Sequence, residues 1–441
     1  MIAAPLLVVW PEYPPAVGGM QVHGFEFAKF LRDGGVPFTL LTRIPATARE
    51  AQEAARFDAL ARIPARRILP PHDFSEALRT LTRVAREVRP HAVYSSQIAF
   101  APAFKGMARV ICRSAGNDVL RPWVGPCDVS RRVMASVSDA EGWARVRANA
   151  EWIRQAAESC EHVLCNSEWT AAQLRGRLAV SATVVHGGVD VRRFRPVPRE
   201  RFRAHLPLAR GRLLAVIAAR HVLKKGIDVA LEAVASLDDR VRLIIAGRGP
   251  ETSRLLGQQR RLGLLERVRF AGPIDHATLP WLLGMADVVL APSRSIYDPR
   301  RFGIDHETMC RVACEAAACG TPVIGSDCGG IPEIVRHGET GLLAHPGDAR
   351  DLAAKIDRLA ADAEGRASLS ARARQWAVDE LSFDKVNRIT LACLTSDGTR
   401  GDADSRARDD IAATYHDRVG PPVAHSGSVR FGVNHQQSRL S

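Results

Sequence analysis

The run Leu6-Leu-Val-Val-Trp10 is apolar at every position and leads through a loop holding Gly18-Gly19 into a helix-forming stretch. A strand apolar on both sides has to be covered on both sides, which is the condition of a parallel sheet flanked by helices. Met20, Gly24, Phe27 and Leu31 share one helical face, Asp33-Gly34-Gly35 ends the helix, and Pro37 to Thr42 supplies a second strand. This is an opening βαβ unit. The pattern restarts at Leu213 to Ala219, followed by the helix Ile227 to Ser236 and the strand Leu243 to Gly247. Two such beginnings predict an α/β protein of two doubly wound, Rossmann-like domains.

At 441 residues, 46% of them hydrophobic, the chain is long enough for each domain to bury its own core. Proline and charge thicken from Pro196 to Arg203, so the predicted domains are 1–196 and 205–380 with a linker at 197–204. Further strands are predicted at His91 to Ser95, Arg109 to Arg113, Glu161 to Cys165 and Thr183 to His186, while 44–90 reads as mostly helical. From Ala349 to about Glu380 the pattern is one amphipathic helix, and Leu381-Ser-Phe383 begins a last one. Residues 396–441 are polar and lack apolar periodicity, which predicts a disordered tail.

The apolar start is short, contains Pro5 and lacks a basic leader, and no run approaches membrane-spanning length, so a cytoplasmic protein is expected. Nine scattered cysteines with no Cys-x2-Cys pair between Cys310 and Cys328 argue against a disulfide framework and against a metal site. The tail holds six acidic residues and six arginines, so the net charge of +13 belongs to the rest of the chain. No nucleic-acid-binding signature accompanies it, and no nucleic-acid partner is expected. Solvated faces explain the charge, as would phosphorylated ligands or a peripheral contact with anionic lipid on the inner face of the membrane.

Chemistry concentrates in one stretch. Glu307 and Glu315 bracket the start of a helix predicted from about Met309 to Cys319, with Gly320 as its stop and the strand Thr321 to Ser326 after it. Carboxylates accept hydrogen bonds from sugar or ribose hydroxyls, while a helix N-terminus offers N–H groups to phosphate. That combination suits a sugar nucleotide. Arg220 and Lys225 stand in a loop at a predicted strand's carboxyl end, where a diphosphate needs neutralising. Gly18 and Gly19 occupy the equivalent end of the first strand and let backbone approach a ligand.

The order Glu307, seven residues, Glu315-Ala, Gly320-Thr-Pro-Val, Gly329-Gly330, Pro332-Glu333 resembles the retaining glycosyltransferases of family 4, which have the two-domain GT-B fold. Gly188-Val-Asp190 with Phe194, and Arg220 with Lys225-Gly226, match the same family in register, and the resemblance spans about residues 6 to 395. It implies two domains facing each other across a cleft, an acceptor-binding N-terminal domain, a nucleotide-sugar-binding second domain and a final helix, 381–395, crossing back to the first. It also implies transfer of a sugar from a nucleoside diphosphate sugar to a hydroxyl of a carbohydrate, lipid-linked or small-molecule acceptor. No cofactor beyond the donor substrate is implied. Glu307 would hold the transferred sugar, Glu315 the ribose, and Arg220 and Lys225 the phosphates. Gly18, Gly19, Gly247 and Phe270 would offer backbone to the donor. At two places the sequence departs from the pattern. Thr308-Met309-Cys310 replaces the family's Phe-Gly or Gly-Pro, leaving Met309 and Cys310 as donor-binding positions, and Ala115 stands where a basic residue is usual, leaving Asn117 or Asp118 to take its part. A non-catalytic sugar-nucleotide-binding protein is the alternative. The connection 294–306 is long enough to form a flap over the donor.

Overall fold

The computed structural model of the protein describes residues 4–15, 18–71, 73–120, 125–129, 131–203, 211–298 and 303–395. Seven parallel strands make the first sheet: β1 (Leu6–Val9), β2 (Phe38–Arg43), β3 (Ala65–Leu69), β4 (Ala92–Ser95), β5 (Arg109–Ser114), β6 (His162–Cys165) and β7 (Thr183–Val184). Their spatial order is 3-2-1-4-5-6-7. Six parallel strands make the second: β8 (Leu213–Ala218), β9 (Val241–Ala246), β10 (Val268–Gly272), β11 (Val288–Ala291), β14 (Val323–Ser326) and β15 (Gly341–Ala344), in the order 10-9-8-11-14-15. Between β11 and β14 a small antiparallel hairpin pairs β12 (Ile296–Asp298) with β13 (Gly303–Asp305). It occupies the connection expected to form a flap.

The continuous apolar runs are central strands buried on both faces. Leu6, Val8 and Trp10 pack against Phe27 and Leu31 of the helix Gly19–Asp33, while Leu7 and Val9 face Leu81 and Phe104 on the other side. In the second sheet, Ala215 and Ile217 pack under the helix Ile227–Ser236, and Leu214 and Val216 meet Ala313 and Ala317 of the helix Arg311–Ala318. The helix Phe383–Thr395 returns to the first sheet. Its Val386 and Leu394 join the cluster around Trp10, and Asn387 Nδ2 donates to Glu26 O at 3.2 Å.

Three stretches carry structure that periodicity did not show. The region 44–90 contains the strand β3, whose Ala-Arg-Arg start has no apolar alternation because it lies at the sheet's edge, only half-buried until Leu69. The stretch expected as linker holds a helix, Arg199–Arg203, fastened to the second sheet by Arg203 Nη2 and Asp287 Oδ2 at 2.7 Å. The long helix after Ala349 is two helices, Ala349–Ala361 and Ala363–Glu380, because the Asp362 side chain accepts from Gly365 N–H and starts a new N-terminus. The predicted tail, 396–441, lies outside the described residues.

Candidate functional site

In an open parallel sheet, ligands lodge beyond the carboxyl ends of the strands, at the point where the strand order reverses. The first sheet reverses between β1 and β4, the second between β8 and β11. Each reversal carries a cavity. One, of about 450 Å3, is lined by Glu12 after β1, Ser96 and Gln97 after β4, and Asp118 after β5. The other, of about 500 Å3, is lined by Ala219, Arg220 and Lys225 after β8, by Glu307 to Val312 and Glu315, and from the first sheet by Gly18, Gly19, His23 and Arg113. Met20 and Ala115 line both, so the two spaces adjoin.

The structure thus brings Arg220, Lys225, Glu307, Met309, Cys310, Glu315, Gly18 and Gly19 together in one cleft. Arg220 is exposed at its edge, whereas Lys225 Nζ donates to Glu307 Oε2 in a partly buried ion pair. Burial opposes the charge on each partner, but their mutual attraction outweighs it. The Lys225 pKa is raised, and that of Glu307, also facing Lys224, is lowered. Lys224 itself is bound to Asp305 Oδ1 at 3.0 Å and His306 O at 3.1 Å, which anchors the hairpin end to the loop after β8. Glu315 is 5% exposed; burial pushes its pKa up, and Arg311, donating to Oε1 at 3.0 Å, works against that rise.

Cys310 has a φ of 69°, left-handed backbone that glycine adopts without cost and an L side chain at about 1–2 kcal/mol. Its thiol is buried beside Met309 and Cys314. Met309 Sδ accepts from Gly187 N–H at 3.0 Å, which ties the loop before the helix Arg311–Ala318 to the first sheet's domain. Asn166 Nδ2 donating to Thr308 Oγ1 at 3.1 Å adds a second tie. A third is Glu333, whose carboxylate accepts from Glu168 N–H at 2.7 Å and Trp169 N–H at 2.9 Å, the first turn of the helix Glu168–Leu178. Burial pushes its carboxyl up to about 7 despite those two bonds.

Other predicted residues fall elsewhere. Asp118 is buried in the first cavity, not the second, and burial raises its carboxyl to about 6 against hydrogen bonds from Ser114 and the Ile98 backbone. The backbone of Asn117 begins the short helix Asn117–Leu120; its side chain lies outside the described residues. Gly247 and Phe270 are not among the described residues lining the cleft. Gly247 packs against the Ala219 carbonyl, and the Phe270 ring sits 5.7 Å from that of His221. Three cleft residues escaped sequence reasoning. Arg113, next to last in β5 and two positions before Ala115, is a buried cation that donates to Val185 O at 2.6 Å and His186 O at 3.2 Å. His23 stacks on Trp10 and is held neutral, by burial first and then by the charges of Arg113 and Arg311. Arg311 is the third; a basic residue opening an alanine-rich helix was its one visible signal.

Gly329, at φ 59°, lies so close to the Glu307 carbonyl that a Cβ added there would sit 1.8 Å from the oxygen. Gly329→Ala is therefore expected to displace Glu307 and to lower turnover roughly a hundredfold, as small misplacements at reacting centres do. Steady-state kinetics beside a thermal unfolding curve check this; wild-type turnover in a folded variant would show that Glu307 tolerates displacement.

Among the described residues no cluster of three or more His, Cys, Asp or Glu has the arrangement to hold a metal ion, and no helix is long and apolar enough to cross a membrane. Residues 17–193 match the family described as Glycosyltransferase Family 4, and residues 198–376 match Glycosyl transferases group 1. A GDP-mannose-dependent alpha-(1-6)-phosphatidylinositol monomannoside mannosyltransferase of Mycolicibacterium smegmatis is 33% identical over 274 residues, covering 60% of this chain and 70% of that protein. The protein of the same description from Mycobacterium tuberculosis is 28% identical over 410 residues, covering 91% of this chain and 99% of its own length. Among solved structures, Anabaena HepE in complex with UDP has the same fold at a TM-score of 0.69 and 21% identity, with 89% of this chain and 99% of that one aligned. Two parallel sheets, each with its cavity at the strand-order reversal and each matched by its own family model, place the conclusion beyond fold alone: the chain belongs to the glycosyltransferases of group 1 and family 4, with their two-domain GT-B architecture.

Proposed function

We propose that the protein transfers a sugar, with retention of anomeric configuration, from a nucleoside diphosphate sugar bound in the second-sheet cleft to a hydroxyl presented from the first-sheet cavity. The adjoining of the two cavities at Met20 and Ala115 carries this reading, since a donor and an acceptor held there can meet. Glu315 takes the ribose hydroxyls, Glu307 the hydroxyls of the transferred sugar, and Arg220 and Lys225 the diphosphate. Lys225 cannot be placed against phosphate without also steadying Glu307, because the two are already paired. Neither carboxylate is a free nucleophile in this arrangement. The reaction is then a front-face displacement in which the leaving phosphate accepts the acceptor's proton, and the protein's part is positioning and charge stabilisation. No cofactor beyond the donor is assigned. The GDP-mannose named for the mycobacterial relatives and the UDP bound to the Anabaena protein supply the first donors to try.

The acceptor cavity holds Ser96, Gln97, Glu12 and Asp118, hydrogen-bonding groups suited to a polyhydroxyl acceptor such as a carbohydrate or the headgroup of a glycolipid. The basic excess would bring a lipid-linked acceptor within reach at an anionic surface. Incubation with GDP- and UDP-sugars and a panel of acceptors, read by released nucleotide and by the anomeric coupling of the product, tests the reading. An inverted product would refute retention, and no turnover despite tight donor binding would favour the binding-protein alternative.

Asp118 adds a pH signature. If its carboxylate orients the acceptor hydroxyl, kcat/KM is expected to rise as pH increases through about 6, where the buried carboxyl loses its proton, and to be flat across that range in Asp118→Asn. A profile identical in both proteins would remove Asp118 from the acceptor site.

A further inference from the structure

Arg311 opens the helix Arg311–Ala318, where the macrodipole disfavours a cation. Its surroundings supply the compensation. Nη2 reaches Glu315 Oε1 at 3.0 Å one turn on, and the guanidinium carbon is 5.9 Å from the Phe383 ring of the returning helix. The Cδ lies 2.7 Å from where a Cβ on Gly19 would be, so the arm of a second-sheet residue rests on the glycine loop of the first. Only Oε1 of Glu315 is engaged by this arginine, which leaves the other oxygen to accept from a ligand.

We propose that Arg311 is a positioning residue for the donor: it keeps Glu315 an oriented carboxylate for the ribose hydroxyls and fastens that carboxylate to the Gly18-Gly19 loop, so that nucleotide recognition and apposition of the two sheets share one contact. This rests on the reading of Glu315 as the ribose acceptor. A carboxyl buried to this degree takes a proton unless a cation faces it, and a neutral carboxyl is the weaker acceptor. Few other charges can do this work. The groups that feel the charges of this pair are His23 and Glu26 from the first helix, His276 after β10, and the thiols of Cys310, Cys314 and Cys319 along or beside the helix, while Arg193 from the loop after β7 acts on Glu315. Of these only Arg193 adds to the pull on Glu315, and it comes after Arg311. His23 and His276 are held neutral, so they do not substitute.

The test is calorimetric binding of GDP and of UDP between about pH 5.5 and 8.5, to whichever the wild type holds more tightly, for wild type, Arg311→Gln, Arg311→Lys, Glu315→Gln and the double variant Arg311→Gln/Glu315→Gln. Removing a charge-assisted contact of this kind weakens binding roughly tenfold or more. Arg311→Gln is expected to show that loss at the acid end and to recover part of it as pH rises, because Glu315 then ionises only at higher pH. Arg311→Lys should keep the wild-type profile at somewhat lower affinity, and in the Glu315→Gln background the arginine substitution should add little and bring no pH dependence. A pH profile of Arg311→Gln parallel to wild type, or losses that simply add in the double variant, would overturn the proposal. Wild-type nucleotide affinity in Glu315→Gln would instead overturn the ribose assignment beneath it, so the two failures are distinguishable.

Discussion

Lys225→Ala is expected to lower kcat roughly a hundredfold or more, with a smaller rise in the donor's KM. Two effects act together. In the proposed reaction the leaving diphosphate loses a cation whose worth grows as negative charge develops on it, and the partly buried Glu307 carboxylate loses its counter-charge. Lys225 is 21% and Glu307 12% exposed at the side chain, so a pair broken from one side leaves a largely desolvated charge, at a cost of up to about 3 kcal/mol. Stability should therefore fall more in Lys225→Ala than in the double variant Lys225→Ala/Glu307→Ala, where no lone carboxylate remains. The pH dependence follows. The lowered pKa of Glu307 means its contribution is present above the usual carboxylate range and lost in acid, while the raised pKa of Lys225 means its contribution is lost only in alkali. The pair is intact around neutrality. Arg220, exposed at the cleft's edge, should behave more simply: Arg220→Ala lowers kcat, and Arg220→Lys does not fully restore it because lysine lacks the bidentate fork. Wild-type turnover in all of these variants would mean that the phosphate site lies elsewhere.

Glu315→Ala and Glu307→Ala are expected to separate nucleotide binding from sugar handling. Glu315 is buried one turn inside the helix and tied to Arg311; Glu307 lies in the loop before it and is tied to Lys225. On the proposed reading each therefore meets a different part of a donor lying along the cleft. Glu315→Ala should weaken a free nucleoside diphosphate and its sugar conjugate alike, by roughly tenfold or more, since it removes an acceptor and strands a cation. Glu307→Ala should leave the free diphosphate nearly unaffected and damage use of the sugar donor. Titration of both variants with both ligands decides it. Equal losses everywhere would show that the two carboxylates do not divide the donor between them.

Much of this arrangement is local and so was legible in the residues. Leu6 to Trp10 and Leu213 to Ala219 must be double-sided strands because no polar position interrupts them, and the helices Gly19–Asp33 and Ile227–Ser236 that follow sit within a residue or two of where periodicity puts them. The helix predicted from Met309 begins at Arg311 because Cys310 is left-handed, a conformation that cysteine has no preference for and that periodicity does not reveal. β3 went unseen because an edge strand is asked to bury little, and so its residues need not alternate.

The amino-acid sequence by itself determined two parallel α/β halves and the spacing that puts Glu307 and Glu315 at one helix start, since strand burial and helical rise are properties of neighbouring residues. Only the tertiary structure decided which groups answer those carboxylates. The pairing of Lys225 with Glu307, the seating of Met309 on Gly187, the clamp of Glu333 on the helix Glu168–Leu178, and the reach of Arg311 to Gly19 all join segments far apart in the chain. Such contacts leave no period and no fixed offset in the sequence. They follow from how the helix Phe383–Thr395 and the loops beyond two sheets pack together, and the same packing removes the water that would otherwise make a lysine or a glutamate here one more solvated charge.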